Sequence, residues 1–485
     1  MTAGLLCNEY CNYDPAMSAL NVTLLVVYLG FMAVVALRFS RASAMRDGED
    51  FVLAGRSLST TVLGATMLAT FVGSGSIIGG ANFVYTYGPI PGVFFFAGTL
   101  IGILCLLVLV TRVRTGGFRT VPELFQDRYG TAARCIGTVM IIIAFVGITA
   151  YQFTGAGYII SLMVPVSETQ GAVVAAVLVT VLSMSGGLKS VAWTDALSSA
   201  LVVLGLFVCL VYLFATDVGG LGGYVDRLDP ALSTITGGLP PLALLGYFLP
   251  VFLLILGDQN MHQRLSAARD SRTAVRATLL FFGGALLMIT PIVLLASTSS
   301  FLLPGIEADT AVLALAGGDL TPPVVGGLLL VGAFALIVTT GSSYLLTSSA
   351  NIVYDLVFLG RPERAGGRLG VAVGRSSVLL LAVLAFVMVQ FFPTVLELQM
   401  YAYTMYGAAL TPVILAALFW RRAGTVSAIA TIVVGGAVTV AWEVSGRASE
   451  LNSVVVSLPA ALATLVVTAL LFPRRVAPAE EPAAA

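Results

Sequence analysis

Thr339, Thr340, Ser342, Ser343 and Thr347 place five hydroxyls within about two turns of a helix, the first four within roughly one turn. Such a concentration of neutral oxygens suits a hard monovalent cation, which must exchange its hydration shell for oxygen ligands. The competing reading is that each hydroxyl bonds back to a carbonyl of the preceding turn. Asp195 stands in an otherwise apolar stretch. A carboxylate inside a span costs about 2.5 to 3.5 kcal/mol on insertion scales, so a partner or a task is expected for it. Its alternative is to cap a helix beginning around Trp193. Asp258 either pairs with a cationic or zwitterionic solute or marks the cytoplasmic exit of its helix alongside Arg264. Gln152, Gln259 and Tyr403 are further polar groups expected to face a cavity, although Tyr401, Tyr403 and Tyr406 also suit interfacial or packing roles. His262, the one histidine, reads as a surface residue at the inner boundary.

The elements that must carry these residues are membrane spans. The 485 residues are 58% hydrophobic and only 10% charged, against roughly 25% charged in an average soluble domain. Apolar runs near or above the roughly 20 residues needed to cross a bilayer follow one another almost end to end. Ser57 to Thr111 carries no charge and contains a Tyr87-Gly88-Pro89-Ile90-Pro91-Gly92 turn, so that run is two helices. The length criterion gives about thirteen spans, centred near residues 30, 70, 100, 148, 178, 204, 250, 288, 340, 382, 406, 433 and 462. With this alternation, all of the 24 Lys and Arg residues except Arg227 and Arg447 fall on connections of one side. Positive charge stays in the cytoplasm, which predicts an external amino terminus and a cytoplasmic carboxyl terminus of a multi-pass cell-membrane protein.

The first 20 residues lack Lys and Arg, so the first helix is read as a retained span rather than a cleaved secretory signal. The tail after Phe472 is short and predicts no soluble module. Zero net charge gives no hint of a nucleic-acid partner. Cys105, Cys135 and Cys209 read as small apolar residues of the spans, whereas Cys7 and Cys11 form either a short disulfide or two free thiols. A membrane-embedded enzyme would need clusters of His, Cys or paired acids, which the sequence lacks.

Breaks in the helices mark where a site can be built, because irregular backbone at mid-depth is tolerated only beside protein or a water-filled cavity. Phe71-Val72-Gly73-Ser74-Gly75-Ser76-Ile77-Ile78-Gly79-Gly80 puts four glycines in the second span, either as an interruption or for close helix packing. Leu249-Pro250 and Leu256-Gly257-Asp258-Gln259-Asn260 interrupt the span five helices later. Corresponding interruptions suggest an inverted repeat, with unwound carbonyls facing an ion and helix ends facing a substrate near the midplane.

The sequence resembles the sodium/solute symporter family of sodium-coupled proline, sialic acid, sugar and choline carriers. The resemblance rests on Asp50-Phe51-Val52-Leu53-Ala54-Gly55-Arg56-Ser57, on Gly186-Gly187-Leu188-Lys189-Ser190-Val191-Ala192-Trp193-Thr194-Asp195, on Gln263-Arg264-Leu265-Ser266-Ala267, and on the hydroxyl-rich helix from Thr339 to Asp355. It implies an all-α, five-plus-five inverted-repeat (LeuT-like) core. Residues 1–45 then form an external terminus and extra first helix, 46–218 the first repeat, 219–425 the second, and 426–485 two peripheral helices and a cytoplasmic tail. It also implies a sodium ion held by the carbonyls of Ala69, Val72 and Leu336 and the hydroxyls of Thr339 and Thr340. A second sodium site at Asp195, Ser342 and Ser343 is permitted but not required.

For the solute, the resemblance is strongest to the choline branch. Phe71 and Tyr151 fall on two positions of an aromatic cage, but Asp258 stands where choline carriers have tryptophan and Ser342 replaces an acidic residue. The expected pocket comprises Phe71, Ser74, Tyr151, Gln152, Asp258, Gln259 and Tyr403, and takes a small organic solute such as an amine or zwitterion. The expected function is sodium-coupled import by alternating access. The rivals are proton coupling through Asp195 or Asp258, and a channel or solute sensor that carries nothing.

Overall fold

A computed structural model of the chain describes residues 15–40, 53–185, 188–317, 320–365 and 367–474. Cys7 and Cys11, the Asp50-Phe51-Val52 start of one motif and Gly186-Gly187 of another lie outside the described residues. Helices dominate: α1 (Pro15–Ser40), α2 (Thr60–Phe71), α3 (Gly80–Tyr87), α4 (Pro89–Gly116), α5 (Val121–Tyr129), α6 (Thr131–Met163), α7 (Glu168–Ser185), α8 (Leu188–Leu213), α9 (Gly220–Arg227) and α10 (Pro241–Gly257). They continue as α11 (Gln259–Ser266), α12 (Ser271–Leu302), α13 (Pro323–Asn351), α14 (Pro362–Ala365), α15 (Arg368–Val389), α16 (Val395–Ala409), α17 (Thr411–Phe419), α18 (Thr425–Val444) and α19 (Val454–Leu471). No strand forms among the described residues, only a lone bridge between Leu58 and Ala268.

Ten described segments are long and apolar enough to cross a membrane, and the bent segment of α2 and α3 makes an eleventh. Two shorter apolar helices, Val22–Met32 and Glu168–Met184, fall at the remaining two expected positions. The long charge-free run divides at Gly88, whose φ of 96° suits glycine, and the prolines of the expected turn instead begin α4. Pro89 tolerates that place because the first turn needs no N–H from it.

The two interruptions differ. At the first, Val72 leaves the helix and the flanking segments bend by 56°. At the second, only Asp258 departs from helical geometry, while Pro250 sits inside α10 without ending it. One lost backbone bond at a proline is tolerated where neighbouring helices cover the freed group.

Burial separates the core from the periphery. The window within Pro323–Val357 is 83% buried, whereas those in Arg368–Val389 and Val454–Leu471 are 28% buried. The hydroxyl-rich helix lies in the most enclosed of the described spans, and it packs on α8, α6 and α2. Two polar knots tie opposite ends of the bundle. At one end Asp309, in the connection before α13, accepts from the Asn82 amide at 2.7 Å and the Val395 N–H at 2.8 Å. At the other, Arg134 of α6 pairs with Asp355 at 2.5 Å, close below α13.

Candidate cation and solute site

The first interruption releases carbonyls. Ser76 and Ile77 both donate to the carbonyl of Gly73 at 3.1 Å, so the ladder restarts beyond the break. A β-carbon at Gly73 would lie 2.7 Å from the Gln152 amide and 3.0 Å from the Thr340 methyl, so a larger residue there would have to push the Gln152 amide aside. The Thr340 hydroxyl lies 2.7 Å from the carbonyl of Ala69, 2.8 Å from that of Leu336 and 3.5 Å from that of Val72. One proton cannot satisfy three acceptors, so the cluster holds more oxygen lone pairs than donors. Thr339 donates to Leu336 at 3.0 Å. Ala69, Val72, Leu336, Thr339 and Thr340 thus meet at one buried point with neutral oxygens only, a donor set suited to a hard monovalent cation.

Asp195 lies deeper than a helix cap. α8 already runs from Leu188, so the residue sits inside the helix, and the capping alternative does not hold. Its Oδ2 accepts from Thr66 at 2.5 Å and from Arg264 at 3.3 Å. Arg264 is not a surface residue of a loop: it is 1% exposed and belongs to the Pro241–Ser266 span. Ser342 donates to the Thr339 carbonyl at 2.9 Å, and Ser343 accepts from Arg264 at 3.3 Å.

The solute-side residues divide into two groups. Ser74 donates from its N–H and its hydroxyl to the Gln152 carbonyl oxygen, at 2.9 and 2.6 Å, and the hydroxyl also lies 2.9 Å from the Tyr151 carbonyl. The Tyr151 and Tyr403 hydroxyls lie 3.2 Å apart. Gln399, which the sequence reading passed over, places its amide against Gly75. Gln152 Nε2 and Gln399 Oε1 are both buried without a hydrogen-bond partner. Phe71 stands apart from this group: its ring packs edge-on against Phe281 at 6.2 Å, and no ring contact joins it to Tyr151.

The second group surrounds Asp258. One carboxylate oxygen caps α11 through the Asn260 N–H at 2.7 Å and the other accepts from Tyr344 at 2.5 Å. The Asp258 side chain is 1% exposed, so it does not mark a helix exit at the surface. Gln259 pairs with Asn351 at 2.7 Å. His262 is also buried, contrary to expectation, with Nε2 2.8 Å from the Leu256 carbonyl. The break explains why: α10 ends at Gly257, and its last carbonyls need new partners. His262 serves Leu256, and the Tyr406 hydroxyl donates to Gly257 at 2.9 Å.

Sequence reasoning missed Thr66, Tyr344, Gln399 and the role of Arg264. Only Arg264 left a signal, because it follows an interruption within an apolar span that contains no acid other than Asp258.

The sodium:solute symporter family model matches residues 51–435. The chain is 26% identical over 440 residues to the high-affinity proline transporter of Bacillus subtilis, covering 87% of this chain and 92% of that one. It is also 26% identical over 439 residues to the human high affinity choline transporter 1, with 85% and 74% covered. A solved structure of a sodium-coupled sialic acid symporter, substrate-bound and outward-open, superposes with a TM-score of 0.77 at 17% identity, over 94% of this chain and 99% of that one.

Proposed function

This chain belongs to the sodium:solute symporter family and couples solute import to sodium, and on that premise we propose that the five oxygens around Thr340 hold the sodium ion. The observation that carries the reading is the Thr340 hydroxyl within hydrogen-bond reach of three carbonyls from two helices. Sodium bound there draws the broken α2–α3 span and α13 together. It favours the conformations in which these helices meet, and it shifts the equilibrium only by that preference. Alternating access then follows: sodium binds from outside, solute joins it, and both leave inside. The proposed orientation, with the amino terminus outside and the carboxyl terminus in the cytoplasm, is supported by the one-sided distribution of arginine.

The solute is read as a small zwitterion or amine. Gln152 Nε2 offers a free donor and Gln399 Oε1 a free acceptor, and both border the glycines of the unwound segment. Burial without partners is costly for such groups, and a solute with its own acceptor and donor removes that cost. The hydroxyls of Tyr151 and Tyr403 border the same space, and Ser74 joins it through the Gln152 amide.

Thermal-shift measurements on purified protein against amino acids, quaternary amines, short carboxylates and sugars, with and without sodium, test the reading. Stabilisation by an amine or zwitterion that requires sodium is expected. Thr340→Ala should weaken apparent sodium affinity at least tenfold, about 1.4 kcal/mol, with the fold retained. Unchanged sodium dependence would remove the site.

A further inference from the structure

α1 turns a narrow face to the rest of the protein. Tyr28 and Met32, one helical turn apart, are buried, while Val26, Val27, Phe31 and Val34 are exposed. That face packs on α13 and α8. The Tyr28 hydroxyl lies 3.0 Å from the Ser198 hydroxyl of α8 and donates to the Ala335 carbonyl of α13 at 3.2 Å. Ser198 also reaches the Thr194 carbonyl at 2.9 Å, the back-bond of a helical serine. When its proton points to Tyr28 instead, the phenol accepts from α8 and donates to α13, so one oxygen joins the two helices. The next residue of α8 serves the other partner, since Ser199 donates to the Ala65 carbonyl of α2 at 3.2 Å.

The two carbonyls sit where they bear on the sodium oxygens. In an α-helix the Ala335 carbonyl takes the N–H of Thr339, and the Ala65 carbonyl takes that of Ala69. Ala335 also precedes Leu336 directly. Each hydroxyl therefore grips the turn that presents Leu336 and Thr339 on one side and Ala69 on the other. The spacing of α8 from α13 is itself fixed by backbone contact. A β-carbon at Gly332 would lie 2.8 Å from the Val202 Cα, and one at Gly205 would lie 2.8 Å from the Leu328 carbonyl.

We propose that Tyr28, Ser198 and Ser199 are positioning residues for the sodium ion: they pin α13 and α2 to α8, and so set the separation of the oxygens on the two helices. The inference rests on the reading of the Thr340 oxygens as the sodium site. It gives α1 a task in coupling, although no residue of α1 belongs to that oxygen set. Groups that orient metal ligands from behind are typically worth 10–100-fold in affinity. A cage of neutral oxygens also distinguishes ions of equal charge by its size and rigidity, so loosening it changes selectivity as well as strength.

Equilibrium binding of radioactive sodium to the purified protein, with lithium as competitor and without solute, tests this. Tyr28→Phe and Ser198→Ala should each weaken sodium binding roughly tenfold and reduce the preference for sodium over lithium. Combining them should cost no more than the worse of the two, because either one breaks the same bridge. Ser199→Ala, which frees α2, should act in the same direction. Tyr224→Phe removes a comparable buried bond, to Ser297 at 2.8 Å, and should leave affinity and preference as in the wild type. Wild-type sodium binding in folded Tyr28→Phe would overturn the proposal, as would a loss matched by Tyr224→Phe. If Tyr28→Phe does not fold, Ser198→Ala decides by the same two criteria. Failure of the sodium-site reading has a different signature, since Thr340→Ala would then keep the wild-type affinity.

Discussion

Gln152 accepts two hydrogen bonds from Ser74, and these hold the first turn beyond the break. The sequence identified it as a polar group of the cavity. Its partner is 78 positions away, so neither periodicity nor composition pointed to the pairing. Gln152→Leu would leave the buried Ser74 N–H without its acceptor, while the hydroxyl keeps the Tyr151 carbonyl, at a cost of about 1–3 kcal/mol. The expected outcome is a lower melting temperature even without sodium, while Gln152→Glu, which keeps the acceptor, loses less. Equal melting of wild type and Gln152→Leu would mean that the amide does not clamp the segment.

At the scale of elements, an interrupted helix survives in an apolar interior only if the groups it frees find partners. Around Asp258 the arrangement is complete: the aspartate caps α11, His262 takes the Leu256 carbonyl and Tyr406 takes that of Gly257. The histidine is thus part of the break, which a single residue with no periodic pattern could not announce. His262→Phe fills similar space but strands the Leu256 carbonyl, and should destabilise by about 1–3 kcal/mol. Amide hydrogen exchange across residues 254–266 would locate the effect, and protection equal to wild type would argue against this role.

Across the whole molecule, Asp309 links α3 of the first half to the start of α16 in the second. Burial pushes its carboxyl above the ordinary aspartate range, the hydrogen bonds from Val395 and Asn82 pull it back, and Glu307 adds to the rise. A folded-state value above the unfolded one means that the docked connection holds its proton more readily. Its contribution to stability is therefore fully present below the unfolded value of about 4 and is lost as pH rises through the folded value. The melting temperature of the wild type should fall, relative to Asp309→Asn, between acidic pH and neutrality. Parallel pH profiles for the two proteins would contradict this linkage.

The sequence by itself determined the solvent, the positions of the spans, the two interruptions and the hydroxyl-rich helix, because lipid imposes apolar length and backbone satisfaction on every segment separately. Those are local constraints, written in consecutive residues. Which oxygens converge was decided only in three dimensions: Thr340 meets Ala69 across 271 positions and Arg264 meets Asp195 across 69. The resemblance to a family named the first group as one site, whereas the charge count placed Arg264 on a cytoplasmic connection. A charged side chain beside a span boundary turns outward or inward according to whether a buried counter-charge waits for it, and only packing of α11 against α2, α8 and α13 supplied Asp195.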